Sequence, residues 1–114
     1  MDIVGRWRIT EMELWDQDAV DLVGPGFICF DGDGTGELGF IAVTGTLDCR
    51  FAPKAGRPSA TFTWAGFDEG DPVSGRGWAV VEADGTLAGR IYFHQGDDAA
   101  FKAVPLPVAA GTGV

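Results

Sequence analysis

The densest group of potentially reactive side chains in this sequence lies at Trp64-Ala65-Gly66-Phe67-Asp68-Glu69-Gly70-Asp71, where three carboxylates stand beside two aromatic rings. Paired carboxylates can do general acid/base work or hold a divalent cation. Adjacent strand residues point to opposite faces, so Asp68 and Glu69 share a site only where the loop folds back. Otherwise the group is a solvated acidic turn. A second group falls on one strand pattern, where Arg90, Tyr92 and His94 alternate with Leu87, Ile91 and Phe93. The apolar side of that strand is core. The polar side is either an ordinary solvent face or part of a barrel lumen in which Arg90 and Tyr92 anchor an anionic group. In the second case Trp64 and Trp78 supply aromatic walls, their inward placement depending on strand register. The ligand-binding candidates are therefore Arg90, Tyr92, His94, Trp64, Trp78, Asp68 and Glu69.

Other chemistries find less support. His94 is the only histidine, and no second His or well-placed Cys completes a metal shell. Asp31-Gly-Asp-Gly-Thr-Gly matches the opening of a calcium loop, but position twelve holds Ala42 where a bidentate Glu is needed. It reads as a structural Asp-Gly hairpin turn. Ser59 and Ser74 lie in turn contexts without a nucleophile elbow, and Gly32-x-Gly34-x-Gly36 lacks the strand–helix setting of a phosphate loop. No catalytic residue, metal or cofactor is assigned.

The elements that position these groups are short strands closed by Gly/Asp turns at Gly24, Asp31, Asp84 and Gly96. Ile3–Thr10 has period two, with Ile3, Trp7 and Ile9 on one face. Glu11–Leu22 allows one short helical turn or a wide loop over a barrel end. Phe27–Phe30, Glu37–Phe40, Val43–Phe51 and Ala60–Phe67 follow as strands, and Asp68–Gly75 reads as an acidic loop. Gly77–Ala83 and Thr86–His94 pair across Asp84-Gly85, and Asp98–Val104 closes the series. About eight strands joined in order predict an all-β chain, a single antiparallel up-and-down β-barrel, because closure removes exposed edges. A barrel of this size is filled by side chains or holds one small ligand. Residues 1–104 form the barrel domain and 105–114 a loose C-terminal tail.

Composition bounds the partners. The chain has 114 residues and a formal charge of −9, with no basic run. Nucleic acid and anionic membrane surfaces are disfavoured. No leader pattern or spanning apolar run is present, so the cytoplasm is the default location. Cys29 and Cys49 fall on strands separated by a third, roughly 9–10 Å apart at ordinary strand spacing. That is beyond the ~7 Å reach of a disulfide, so both are expected as reduced core thiols.

Gly5-Arg6-Trp7 resembles the start of the first strand in the lipocalin and calycin group, where a Gly-x-Trp places its Trp on the barrel floor. The whole sequence is also similar to small uncharacterised bacterial proteins of lipocalin-like type. The resemblance implies a barrel with a pocket and an Arg packed on the floor Trp, for which Arg90 is the nearest candidate; it implies no activity. The leading expectation is a non-enzymatic barrel binding a small apolar or anionic ligand. The alternative is a protein-interaction module or homodimer, suggested by several large aromatics on a short chain. An enzyme using the acidic loop with His94 stands third. A ligand barrel requires an open apolar lumen; an interaction module requires a filled lumen and a continuous exposed apolar patch.

Overall fold

Eight antiparallel strands follow one another around a closed barrel, and β8 returns to pair with β1. The computed structural model describes residues 2–106. It sets the strands as β1 (Gly5–Met12), β2 (Phe27–Phe30), β3 (Thr35–Phe40), β4 (Val43–Phe51), β5 (Ser59–Asp68), β6 (Asp71–Val81), β7 (Leu87–Phe93) and β8 (Asp98–Pro105). The all-β, up-and-down architecture expected from turn spacing is the one observed. Among the described residues the only helix is α1 (Gln17–Val20), and no helix is long and apolar enough to cross a membrane.

Three departures from the sequence pattern shape the ends of the barrel. β1 starts at Gly5 and runs on to Met12, because its pairing with β8 shifts between Ile9 and Glu11. This bulge absorbs Thr10 and returns Met12 to the core. The segment 68–75 is not an open loop: Asp68 pairs with Asp71 across a two-residue turn. Glu69 (φ 53°) and Gly70 (φ 88°) both take the left-handed region that such a tight turn requires. Finally, Pro105 belongs to β8, and the Leu106 amide donates to the Arg6 carbonyl at 2.8 Å. The remainder of the expected tail, 107–114, lies outside the described residues.

Two hairpins share one turn chemistry. In Asp31–Thr35 and Glu82–Thr86 the amide of the fourth residue donates to the first carbonyl, and Gly34 and Gly85 have positive φ. Asp33 and Asp84 each accept from the amide and hydroxyl of the Thr two residues on. These bonds hold both carboxyls below the usual carboxylate range, the Thr hydroxyl being the largest cause.

The connection from β1 to β2 is pinned by charge. Arg8 grips Asp21 through paired contacts of 2.8 and 2.6 Å. Asp21 also accepts from the Gly26 amide at 2.8 Å and from Gln17 at 3.1 Å. The Arg8 bond, then the Gly26 bond, depress the Asp21 pKa strongly. Val20, swung inward by α1, is fully buried.

The lumen is packed with one cluster of buried apolar side chains drawn from all eight strands. Among the described residues no polar or charged side chain is buried. Inward-facing glycines make room for rings from the next strand: Phe62 lies opposite Gly77, Trp64 opposite Gly75 and Phe101 opposite Gly89. A Cβ on Gly77 would stand 2.5 Å from Phe62 Cζ, and one on Gly89 would stand 2.6 Å from Phe101 Cε1. The rings thus lie flat on the barrel wall where side chains are missing. At the floor, Trp7 is buried with Ile3 and Ile9, and its indole N–H donates to the Ile3 carbonyl at 2.9 Å. Each such aromatic contributes about 1.5–3 kcal/mol through removal from water. The core placement expected for both cysteines holds only for Cys49, which faces inward on β4; Cys29 faces outward on β2, where Ile28 and Phe30 take the inward positions, and both thiols are free. Burial first, then Asp48 and Asp31, pushes Cys49 up to about 11.

Candidate functional site

The strand parities divide the expected site residues between two places. Only Trp64 is inside: it is buried, its indole N–H donates to the Tyr92 carbonyl at 3.2 Å, and its ring meets Phe93 edge-on at 5.2 Å. The lumenal placement of Arg90, Tyr92 and Trp78 is corrected. Leu87 and Ile91 occupy the inward positions of β7, so Arg90 and Tyr92 lie on the outer wall, as does Trp78 on β6. Arg90 is engaged there by Asp98 at 2.5 Å and Glu13 at 3.4 Å. The Asp98 bond is the main cause of its raised pKa. From that wall Arg90 cannot pack on Trp7, so the floor contact implied by the lipocalin resemblance is not made by this residue.

The same outer wall carries two cation–ring contacts. The Arg76 guanidinium lies 4.0 Å from the Tyr92 ring centroid, and the Lys54 ammonium 5.1 Å from that of Trp78.

The second place is the upper end of the barrel, where α1 and the turns at Ile41-Ala42, Glu69-Gly70 and His94–Asp97 gather. Trp15, from the β1–α1 connection, packs on Phe40 at 6.0 Å and Phe93 at 6.5 Å and stops this mouth. His94 is exposed, its amide donating to the Ser74 carbonyl at 2.7 Å. Asp68, Glu69 and Asp71 crown the β5–β6 hairpin. They are not joined by His94 into one cleft, and among the described residues no group of three His, Cys, Asp or Glu is placed to hold a metal.

Phe67 is the functional candidate that pattern reading did not select. It is 56% exposed on the outer face of β5. Its ring forms a ridge between two grooves. One, of about 500 Å³, runs along Ala65, Pro72, Val73, Ser74, Phe93 and His94. The other, of about 370 Å³, is bounded by Phe27, Glu37, Thr44, Thr46 and Ala65. Phe27, Gly39, Thr44, Phe67 and Pro72 are successive register partners, so a largely apolar, uncharged belt crosses five strands in one row, with the Arg6 guanidinium 3.9 Å over the Phe27 ring at its far end. Exposed Leu22 and Val23 extend the apolar surface of this end of the barrel. The available signal was that Phe67 occupies the solvent phase of β5, shared with Thr61, Thr63 and Ala65.

The projecting hairpin also has a defined edge. β6 pairs with β7 only from Gly75 onward. Because the Ser74 carbonyl faces β7, alternation turns Pro72 to the same side, and Pro72 has no N–H to offer. Compared with family models, with curated proteins and with solved structures, the chain matches none of them.

Proposed function

We propose that the protein is a protein-interaction module, a solid barrel that docks a partner segment on the outer surface around Phe67. The carrying observation is the combination of a filled lumen with an exposed Phe67 ridge flanked by two apolar grooves. Large exposed aromatics beside hollows are the usual anchors of protein interfaces. Asp68, Glu69 and Asp71 stand immediately above the ridge, so the partner carries an apolar anchor flanked by Lys or Arg. A second copy is the poorer occupant: a two-fold contact through Phe67 brings two acidic tips together on chains of charge −9. Pro72 removes the donor from the adjoining edge, so docking runs through side chains rather than added strands. The Gly5-Arg6-Trp7 start and the barrel order support lipocalin-like kinship, and two free thiols are in keeping with the cytoplasm.

The test is calorimetric titration with a synthetic peptide carrying Leu and Phe between lysines. Saturable binding that is lost in Phe67→Glu and with a glutamate-flanked peptide supports the reading. Sedimentation showing a dimer that Phe67→Glu dissolves would make the occupant a second copy. Absence of both overturns the assignment.

A further inference from the structure

We infer that the outer wall of β5–β7 is a binding site for a planar anion, an aromatic ring bearing a phosphate or carboxylate group. The five ion-pair contacts among the described residues engage Arg8, Arg50, Arg57 and Arg90. Arg76 and Lys54 belong to none of them. Both instead rest on the two aromatic rings of this wall, Arg76 on Tyr92 and Lys54 on Trp78. Register sets these groups side by side: Thr63 pairs with Arg76 and Arg76 with Tyr92, while Thr61 pairs with Trp78. Thr61 and Thr63 are exposed and offer hydroxyl donors next to the two cations.

The border of this patch carries ion pairs. On one side Arg50 holds Asp48 at 2.6 Å, and on the other Arg90 holds Asp98 and Glu13. Two of the cations outside those ion pairs, Arg76 and Lys54, thus stand over the rings at the centre; the others are Arg6, stacked on Phe27, and Lys102 beyond Arg90. A guanidinium stacked on a ring keeps its edge N–H donors free for a paired contact with an oxyanion. The flanking rings supply stacking surface for the ligand's own ring. On a chain of charge −9, long-range repulsion opposes any anion, so occupancy depends on the ring and the charge acting together. That requirement selects an aryl anion over a bare one. The site shares no residue with the Phe67 surface and stands independently of it.

Phenyl phosphate is the probe, followed by calorimetry and by the amide signals of residues 74–80 and 88–93. The expected result is saturable binding with a Kd of about 1 mM or tighter, with inorganic phosphate and phenol each at least ~10-fold weaker. Arg76→Gln, an exposed substitution, should weaken binding at least ~5-fold. Trp78→Leu should remove the preference for the aryl form, and Arg50→Gln should change nothing. Three outcomes overturn the assignment: no saturation by about 10 mM, equal binding of inorganic phosphate, or equal loss in the Arg50 and Arg76 variants. The last would reduce the effect to diffuse charge.

Discussion

A single methyl group on Gly77 should destabilise the barrel by about 2 kcal/mol. The Cβ of Gly77→Ala would lie 2.5 and 2.7 Å from two Phe62 ring carbons and 2.6 Å from the Arg90 carbonyl oxygen. Carbon pairs prefer about 3.5–4.0 Å, so the overlap with the ring is roughly 1 Å. Neither neighbour retreats easily. The carbonyl belongs to the β6–β7 ladder, and Phe62 is backed by Phe30 at a centroid distance of 6.0 Å. Overpacking of this kind costs about 1–3 kcal/mol, and a backbone neighbour puts it in the upper half. The loss of glycine's freedom in the unfolded chain returns about 0.4–1 kcal/mol, which leaves ~2 kcal/mol net. With about 2.1 cal/mol/K of unfolding entropy per residue over 114 residues, each kcal/mol moves Tm by roughly 4 °C. The expected drop is about 8 °C, read by thermal melts in near-ultraviolet circular dichroism. Combining Gly77→Ala with Phe62→Leu should give a loss smaller than the sum by about 1 kcal/mol, because the smaller side chain vacates the overlap. A Gly77→Ala protein that melts with the parent, or strict additivity in the pair, would refute the ring-over-glycine account of the core.

Trp7→Ala should cost about 3–5 kcal/mol in urea unfolding, since it empties the floor and orphans the Ile3 carbonyl; a change under ~1 kcal/mol would contradict the floor role. Asp21 has a lowered pKa in the folded state, so its contribution is complete above the unfolded carboxylate range near 4 and is lost as pH falls toward the folded value. Asp21→Asn should therefore lower Tm at pH 7, and the gap to the parent should shrink steadily below about pH 4; a gap independent of pH would show that the ionised Asp21–Arg8 contact contributes nothing. Millimolar calcium should leave Tm unchanged, because Asp33 already accepts from Thr35 and the loop has no twelfth-position carboxylate; a rise of several degrees would reveal a metal site.

The strand count, the order and the buried face of β1 were legible because side-chain alternation and turn residues report them directly. The wall on which each β6 and β7 side chain stands was harder to read. On β6 the inward row is Gly75, Gly77, Ala79 and Val81, while the outward row carries Trp78 and Val80. The bulkier, more apolar-looking row is therefore outside. The interior opposite Gly75 and Gly77 is already occupied by Trp64 and Phe62 from β5, and no local pattern on β6 records that. The acidic stretch misled for a related reason. Asp68 and Asp71 sit directly opposite each other across the turn, and such like-charge pairing is unfavourable in a hairpin. Strand pairing from Ser59 to Asp68 overrides it.

The position of Pro72 bears on the chain's behaviour in concentrated solution. Closure leaves this barrel almost without free strand edges, yet the β5–β6 hairpin overshoots β7 and exposes a short one beside the apolar Phe67 belt. A backbone donor at that point would allow another chain to dock by hydrogen bonding and bury the belt in the same step, the route by which edge strands nucleate assemblies. Pro72 removes the donor and leaves the belt available only to side-chain partners. Replacing it with threonine should leave thermal stability nearly unchanged while shortening the lag before light scattering rises, so that the residue guards solubility through kinetics rather than through the folding equilibrium.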